Sequence, residues 1–284
     1  MEFTCIPRRT LAVSVTGGEC GLHCNHCNGH YLGHMVPIGA ARTVLASGEY
    51  TSILLSGGAD STGGIPLSGH LGFVEWVRGR GIRVNAHVGL QSDEDVRILA
   101  PFFDRVSLDY VWDDETIREV YHLPRSGRDY LHAIETWTRM LAADTSGDVR
   151  SRIHLHLTVG LKGGIVTGEF AAIDSLRALA PASLVFLVLI PTEGTVYGSV
   201  PTVPLSQVES VFAYARRTLP STDLILGCMH PRAEGYGEEL ARLAELYGFR
   251  GVVGEAGAVP SARRLEECCV FYRQETSIPA AESL

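Results

Sequence analysis

Lysine is nearly missing from this chain. Lys162 is the single example in 284 residues, and arginine supplies the rest of the 24 basic side chains. Against 32 acidic residues this leaves a formal net charge of −8. No broad basic surface is therefore available for a phosphate backbone or an anionic bilayer, and neither nucleic acid nor membrane is expected as a partner. The preference for arginine reads as GC-rich coding, a hint about origin rather than chemistry. Long apolar runs are also lacking: the longest, Leu184 to Ile190, has strand length, well short of the roughly 20 residues that a membrane-spanning helix needs. The opening MEFTCIPRRTLAV has no apolar stretch before a small-residue cleavage site, so the expected location is the cytoplasm. Low-complexity linkers are missing too, and proline and glycine are spread among turns. One domain over residues 1–284 is expected, with a core at about 10–255 and a C-terminal segment at 256–284. Apolar residues make up 45% and charged residues 20%, which excludes disorder except at the ends.

What is present is a regular alternation. Strand-like runs begin at Leu11 (LAVSV), Ser52 (SILL), Ile82 (IRVNAHV), Arg105 (RVSLDYV), Arg152 (RIHLHLTV), Leu184 (LVFLVLI), Asp223 (DLIL) and Phe249 (FRGVV). Helical periodicity occupies Leu67 to Arg78, Asp93 to Ala100, Tyr130 to Leu141, Glu169 to Leu179, Gln207 to Thr218 and Glu238 to Tyr247. Strand–helix alternation implies parallel strands joined by right-handed crossovers, and eight units imply a (β/α)8 TIM-type barrel of class α/β. A doubly wound open sheet is the fallback. In such barrels the active site is built from loops that follow the strands.

The loop after the first run is TGGECGLHCNHCNGHYL, with Cys20, Cys24 and Cys27 in a C-x3-C-x2-C spacing. Seven cysteines is an odd count, and in a reducing compartment three packed into eight residues favour metal ligation over disulfides. Three thiolates and one missing ligand suit a 4Fe–4S cluster with one open iron, a zinc knuckle being the alternative. The second run ends in SGGAD, a glycine turn of the kind that also serves as a plain tight turn.

Together these stretches resemble the radical S-adenosylmethionine (SAM) superfamily, in which the open iron chelates SAM. The resemblance implies that Ser56, Gly57, Gly58 and Asp60 bind the SAM amino group. It is strongest toward biotin synthase and the two-component lipoyl synthases, through SLDYVWDDETIREVYHLPRSGRDYL, VGLKGGIVTGE, LVFLVLIPTEGT and LGCMHPR. It further implies that Asp109 contacts the SAM ribose, that Arg125 pairs with the methionine carboxylate, and that Gly168 and Glu169 form the adenine-side turn. A carboxylate accepts from both ribose hydroxyls, and an arginine fork matches a carboxylate bidentately.

Four cysteines remain: Cys5, Cys228, Cys268 and Cys269. The positions that would carry the auxiliary-cluster ligands of biotin synthase, around Ala86 and Thr158, are not cysteines. The lipoyl synthase-like branch instead resembles this chain in a cysteine before strand one, a GCM-x-PR turn after strand seven and a late cysteine pair. The expectation is a second, auxiliary 4Fe–4S cluster held by Cys5, Cys228 and one or both of Cys268 and Cys269, on terminal segments folding over the barrel mouth. Buried free cysteines acting as small hydrophobes are the plain alternative.

The implied function is a radical SAM enzyme that forms a 5′-deoxyadenosyl radical and transfers sulfur from a sacrificial auxiliary cluster into a small molecule, with Cys228 and Asp109 closest to the chemistry. Sulfur-for-oxygen exchange on a sugar or nucleoside fits a GC-rich source. The polar candidates His87, His154, His156, Lys162, Glu193 and Arg232 suit a hydroxylated substrate. Alternatives are octanoyl sulfuration on a carrier protein with a partner radical SAM subunit, oxidation or epimerisation without sulfur transfer, and a non-enzymatic iron–sulfur protein. An electron donor such as flavodoxin or ferredoxin is expected.

Overall fold

The computed structural model describes residues 1–144, 149–254 and 262–273. The elements follow in chain order: β1 (Phe3–Cys5), β2 (Thr10–Ser14), β3 (Val36–Pro37), α1 (Ile38–Leu45), β4 (Ser52–Ser56), α2 (Leu71–Arg78), β5 (Arg83–His87), α3 (Asp93–Leu99), β6 (Arg105–Asp109) and α4 (Asp114–Tyr121). Next come α5 (Gly127–Asp144), β7 (Ile153–Val159), α6 (Glu169–Ser175), β8 (Ser183–Val188), α7 (Leu205–Thr218), β9 (Asp223–Leu226), α8 (Tyr236–Leu246), β10 (Gly251–Val253) and β11 (Arg263–Leu265). The eight expected strands are β2 and β4 to β10. All pairings are parallel, in the order β11-β1-β10-β9-β8-β7-β6-β5-β4-β2-β3, which curls the sheet into the expected barrel with helices outside.

Among the described residues the ring does not close by strand pairing. β1 takes the place beside β10 and pairs on its other edge with β11, while β2 pairs outward with β3. The chain after β11 bridges the gap instead. Glu266 accepts from the Arg9 amide at 2.8 Å, and the Cys268 amide donates to Thr10 Oγ1 at 2.7 Å.

The period of two along each strand separates two environments. Leu11, Val13, Ile53, Leu55, Val84, Val106, Leu108, Leu155 and Leu157 face the helices in one apolar core. The opposite parity faces the lumen, and there β5, β6 and β7 carry polar residues: Asn85 and His87, Ser107 and Asp109, His154 and His156. β1, β8, β9 and β10 contribute Phe3, Cys5, Val185, Ile225 and Val253, packed with Cys269, Val270, Phe271 and Tyr272.

The route of the C-terminal segment differs from the expectation that it folds over the mouth. Glu267 pairs with Arg83, and Thr51 donates to it at 2.8 Å; Tyr272 and Arg273 each donate to Asp223 Oδ2 at 2.6 Å. These partners stand at or just before the first residues of β4, β5 and β9, so the segment enters from the N-terminal end of the strands. Phe271 and Tyr272 are fully buried there, each side chain contributing about 1.5–3 kcal/mol of apolar burial. The physical reason is that a strand at β11, parallel to β1, hands the chain to the gap beside β2 rather than to a crossover helix. The late cysteines thus reach the lumen from below.

Candidate functional site

The loop between β2 and β3 carries Cys20, Cys24 and Cys27. Cys24 is buried, the other two are half-buried, and ligand atoms of Cys24, His26 and Cys27 lie within 4.8 Å of one another. The Cys24 thiol hydrogen-bonds Cys27 and lowers its pKa to about 4, with His26 adding to the effect. Cys24 keeps the proton and is pushed up by that bond and by burial. His26 Nδ1 is buried without a hydrogen bond, and its ring meets Tyr121 edge-on at 5.6 Å. Soft thiols beside an orphaned buried nitrogen fit a metal cluster better than a packed apolar loop.

The SGGAD turn after β4 is pressed against this loop. A Cβ on Gly58 would lie 2.0 Å from the Glu19 carbonyl and 2.5 Å from Cys20 Cα, so glycine is required for the approach. The Gly58 amide donates to Thr16 Oγ1 at 2.7 Å, and Gly21 donates to Ala59 O at 2.8 Å. Asp60 turns inward on its own loop, accepting from the Thr62 amide and hydroxyl at 2.7 and 2.6 Å. Burial opposes its ionisation, but these hydrogen bonds win and its pKa is lowered below the carboxylate norm. Arg125 donates to Thr62 O at 3.4 Å, which brings it to the same turn. Cys20, Cys24, Cys27, Ser56, Gly57, Gly58, Asp60 and Arg125 therefore form one constellation.

Gly168 and Glu169 stand apart from it. Glu169 is buried and accepts from the Gly160 and Thr167 amides at 2.7 and 2.8 Å, which occupies the carboxylate in shaping its own turn. Gly168 abuts Asp113, whose side chain caps α4 by accepting from Thr116 N at 2.7 Å.

The second cysteine group gathers in the lumen, with Cys5 ending β1, Cys228 following β9, and Cys268 and Cys269 arriving on the C-terminal segment. The Cys5 thiol donates to Glu267 O at 2.9 Å, and Asn85 Nδ2 approaches Cys268 Sγ at 3.8 Å while its Oδ1 accepts from Ser107 at 3.0 Å. Cys5 is pushed well up, first by burial and then by the charges of Cys268, Cys228 and Glu267. Cys269 is raised by its bond to Cys268, by burial, and by the charges of Cys268, Cys5 and Cys228. All four thiols are thus within electrostatic reach of one another. Cys228 is exposed, yet burial and the Cys268 charge hold it up at about 11, which describes a thiol opening into a deep recess. Arg232 donates to the Cys228 carbonyl at 3.1 Å.

Between the two groups stand three polar side chains on adjacent strands. Asp109 Oδ1 lies 3.3 Å from His87 Nε2 and 3.9 Å from His156 Nδ1, and the two imidazoles stack 5.5 Å apart. Burial disfavours charge on Asp109, but His87, His156 and His26 outweigh it and hold the carboxyl at about 2. Burial, reinforced by His87, holds His156 near 4, so it is neutral at pH 7. Burial also works against the charge on His87, but Asp109 prevails and its pKa is raised. Asp109 faces these histidines as well as the mouth.

Other polar candidates have structural partners. His154 is buried against Ser183 Oγ at 2.7 Å, and Lys162 pairs with Glu115 and Glu119 at 2.9 and 3.3 Å. Glu193 is exposed. Sequence reasoning missed the clamp on the cysteine loop. Asn25 donates through its amide to Val120 O and through Nδ2 to Glu119 O, while Tyr197 donates from its amide to Asn25 O and from its hydroxyl to Glu119. Only the position of Asn25, between two cysteines, could have signalled it.

No protein-family model and no curated protein sequence matches the chain. Solved structures do. The FeFe-hydrogenase maturase HydG from Carboxydothermus hydrogenoformans superposes with a TM-score of 0.60 at 16% identity, over 89% of this chain and 59% of that one. Methylornithine synthase (PylB) gives 0.58 at 14%, over 97% and 77%. Streptococcus suis SuiB bound to S-adenosylmethionine gives 0.55 at 13%, over 82% and 52%. The chain spans about three fifths of the HydG chain. At these identities the likeness is one of fold, and it covers nearly all of the described barrel.

Proposed function

We propose that this protein is a radical SAM enzyme that inserts sulfur from an auxiliary iron–sulfur cluster into a hydroxylated small molecule. The observation that carries the reading is the convergence of two separate thiol groups on one lumen, with His87, Asp109 and His156 between them.

Cys20, Cys24 and Cys27 would hold the first cluster and leave one iron for the amine and carboxylate of SAM. The turn from Ser56 to Asp60 presents backbone groups to the amine, and Arg125 offers its fork to the carboxylate. Glu169 acts indirectly, by holding the Gly160 and Thr167 amides so that the turn at Gly168 keeps its shape. When bound and reduced, the cluster with SAM supplies a 5′-deoxyadenosyl radical, and the barrel contributes orientation and exclusion of water. Cys5, Cys228, Cys268 and Cys269 supply the thiolates for a second cluster, whose contribution when bound is sulfide for a new C–S bond. Cys228, the exposed member of the four, stands nearest the open space. The polar wall of the half-buried His87, Asp109 and His156 favours a hydroxylated substrate over an octanoyl chain, because hydroxyls can hydrogen-bond to these groups and an alkyl chain cannot.

The test is anaerobic incubation of reduced protein with SAM, scored for 5′-deoxyadenosine, followed by turnover with hydroxylated candidates after the clusters are rebuilt with isotopic sulfide. The expected outcome is SAM cleavage that C27A abolishes, with isotopic sulfur in the product of wild type and none from C228S. Cleavage with many turnovers and no sulfur in product would refute sulfur insertion.

A further inference from the structure

We propose that His87, Asp109 and His156 form a binding site for one divalent transition-metal ion, separate from both cysteine groups. This inference stands whether or not sulfur is transferred.

The three residues come from consecutive strands. His87 and Asp109 are the last residues of β5 and β6, and His156 pairs in register with Asp109 on β7. Their side chains share the lumen-facing parity, and all three donor atoms lie within 4.8 Å of one another. A tetrahedral ion with ligands at about 2.0–2.1 Å holds its donors roughly 3.4 Å apart. The observed 3.3 Å from His87 to the carboxylate oxygen matches that separation, and the 3.9 Å from His156 to the same oxygen is about 0.5 Å wider, within reach of a small side-chain rotation.

The hydrogen-bond accounting points the same way. His87 Nε2 is buried and makes no hydrogen bond, because its approach to Asp109 has ion-pair distance without hydrogen-bond geometry. A buried polar atom left in that state costs about 1–3 kcal/mol. The two rings are 22° from parallel and converge on one oxygen, an arrangement that neither apolar packing nor a simple His–Asp pair requires. An ion among the three atoms satisfies the nitrogen and explains the convergence.

The donor set selects the ion. Two imidazoles and a carboxylate are the ligands of zinc, ferrous iron or manganese, whereas the thiols on either side are suited to iron–sulfur clusters. Three protein ligands leave a position for an oxygen ligand, water or a substrate hydroxyl, on the lumen side. Asp109 Oδ1 cannot then also serve as the ribose acceptor.

The test uses the anaerobic protein with its clusters loaded, dialysed against zinc sulfate alone, with zinc and iron counted on the same sample and the zinc X-ray absorption edge recorded. The expected result is about one zinc per chain with a nitrogen and oxygen shell near 2.0–2.1 Å and no sulfur shell near 2.3 Å. The H87A/H156A double variant and D109N should each bind zinc more than tenfold more weakly at unchanged iron content. No zinc in wild type, a sulfur shell, or undiminished binding in the double variant would overturn the proposal. If a variant also loses iron it has misfolded, and the wild-type absorption spectrum then decides alone.

Discussion

Gly58 offers the sharpest mechanical test of the mouth constellation. An alanine Cβ there would lie 2.0 Å from Glu19 O, 2.5 Å from Cys20 Cα and 2.8 Å from Cys20 Cβ. The first two are backbone atoms, so no side-chain rotation relieves the contact. Restoring an ordinary 3.4 Å from 2.0 Å requires the loop to retreat by roughly 1.4 Å. Metal–ligand distances tolerate about 0.2 Å, so a loop displaced by that amount cannot keep Cys20 in register with Cys24 and Cys27. Overpacking of this kind costs about 1–3 kcal/mol, enough to lower Tm by several degrees without unfolding the barrel. The assay is iron and sulfide per chain after anaerobic reconstitution, together with thermal unfolding. Gly58→Ala should lose about four irons and stay folded. Gly57→Ala is the comparison: its nearest contacts are the Val15 and Thr16 side chains at 2.9 and 3.2 Å, which can give way, and most of the iron should remain. A folded Gly58→Ala variant with a full iron complement would refute the reasoning.

Asp223 anchors the C-terminal segment by accepting from Tyr272 and Arg273. Asp223→Ala should therefore cost about 1.5–3 kcal/mol in denaturant unfolding and strip iron from the second group but not the first. Burial opposes ionisation of Asp223, yet those hydrogen bonds and the charges of Arg250 and Arg273 lower its pKa on folding. Its stabilisation is accordingly complete above the unfolded carboxylate range near 3.9 and is lost as pH falls through the lower folded value; urea midpoints of wild type should drop below about pH 4 more steeply than those of Asp223→Asn. Arg125→Lys removes the fork while keeping the charge and should weaken SAM binding by roughly tenfold or more in equilibrium dialysis, with iron content unchanged. Asn25→Ala removes the Nδ2 contact to Glu119 O and should speed iron loss to a chelator from the first group, while Tm falls by only a few degrees.

Much of this architecture is legible in the sequence because the eight barrel strands carry continuous apolar runs. The elements that escaped are short. FTC, VP and RRL are too brief to show a period, yet β1, β3 and β11 decide how the barrel is closed. Helix α4 also escaped, although Asp113 before an acidic first turn and Thr116 three residues on are a capping signal. The cysteine spacing locates the first thiol group, since ligand type and local spacing are sequence properties; the second is grouped in the sequence only through the lipoyl synthase-like resemblance. The route of Cys268 and Cys269 is not, because it depends on Glu267, Arg83 and Asp223, which are distant in sequence and ordinary as surface charges. Lys162, His154 and Glu169 read equally well as site residues until their partners are seen. The meeting of His87, Asp109 and His156 needs strand parity and register, which no motif announces.

The most direct measurement is iron and acid-labile sulfide per chain in the anaerobic wild type and in the Cys20/Cys24/Cys27→Ala triple variant. Two thiol groups around one lumen predict about eight irons in the first and about four in the second, the latter lost on replacing Cys5, Cys228, Cys268 and Cys269 by serine. A triple variant without iron would contradict the account, leaving one cluster and no source for the transferred sulfur.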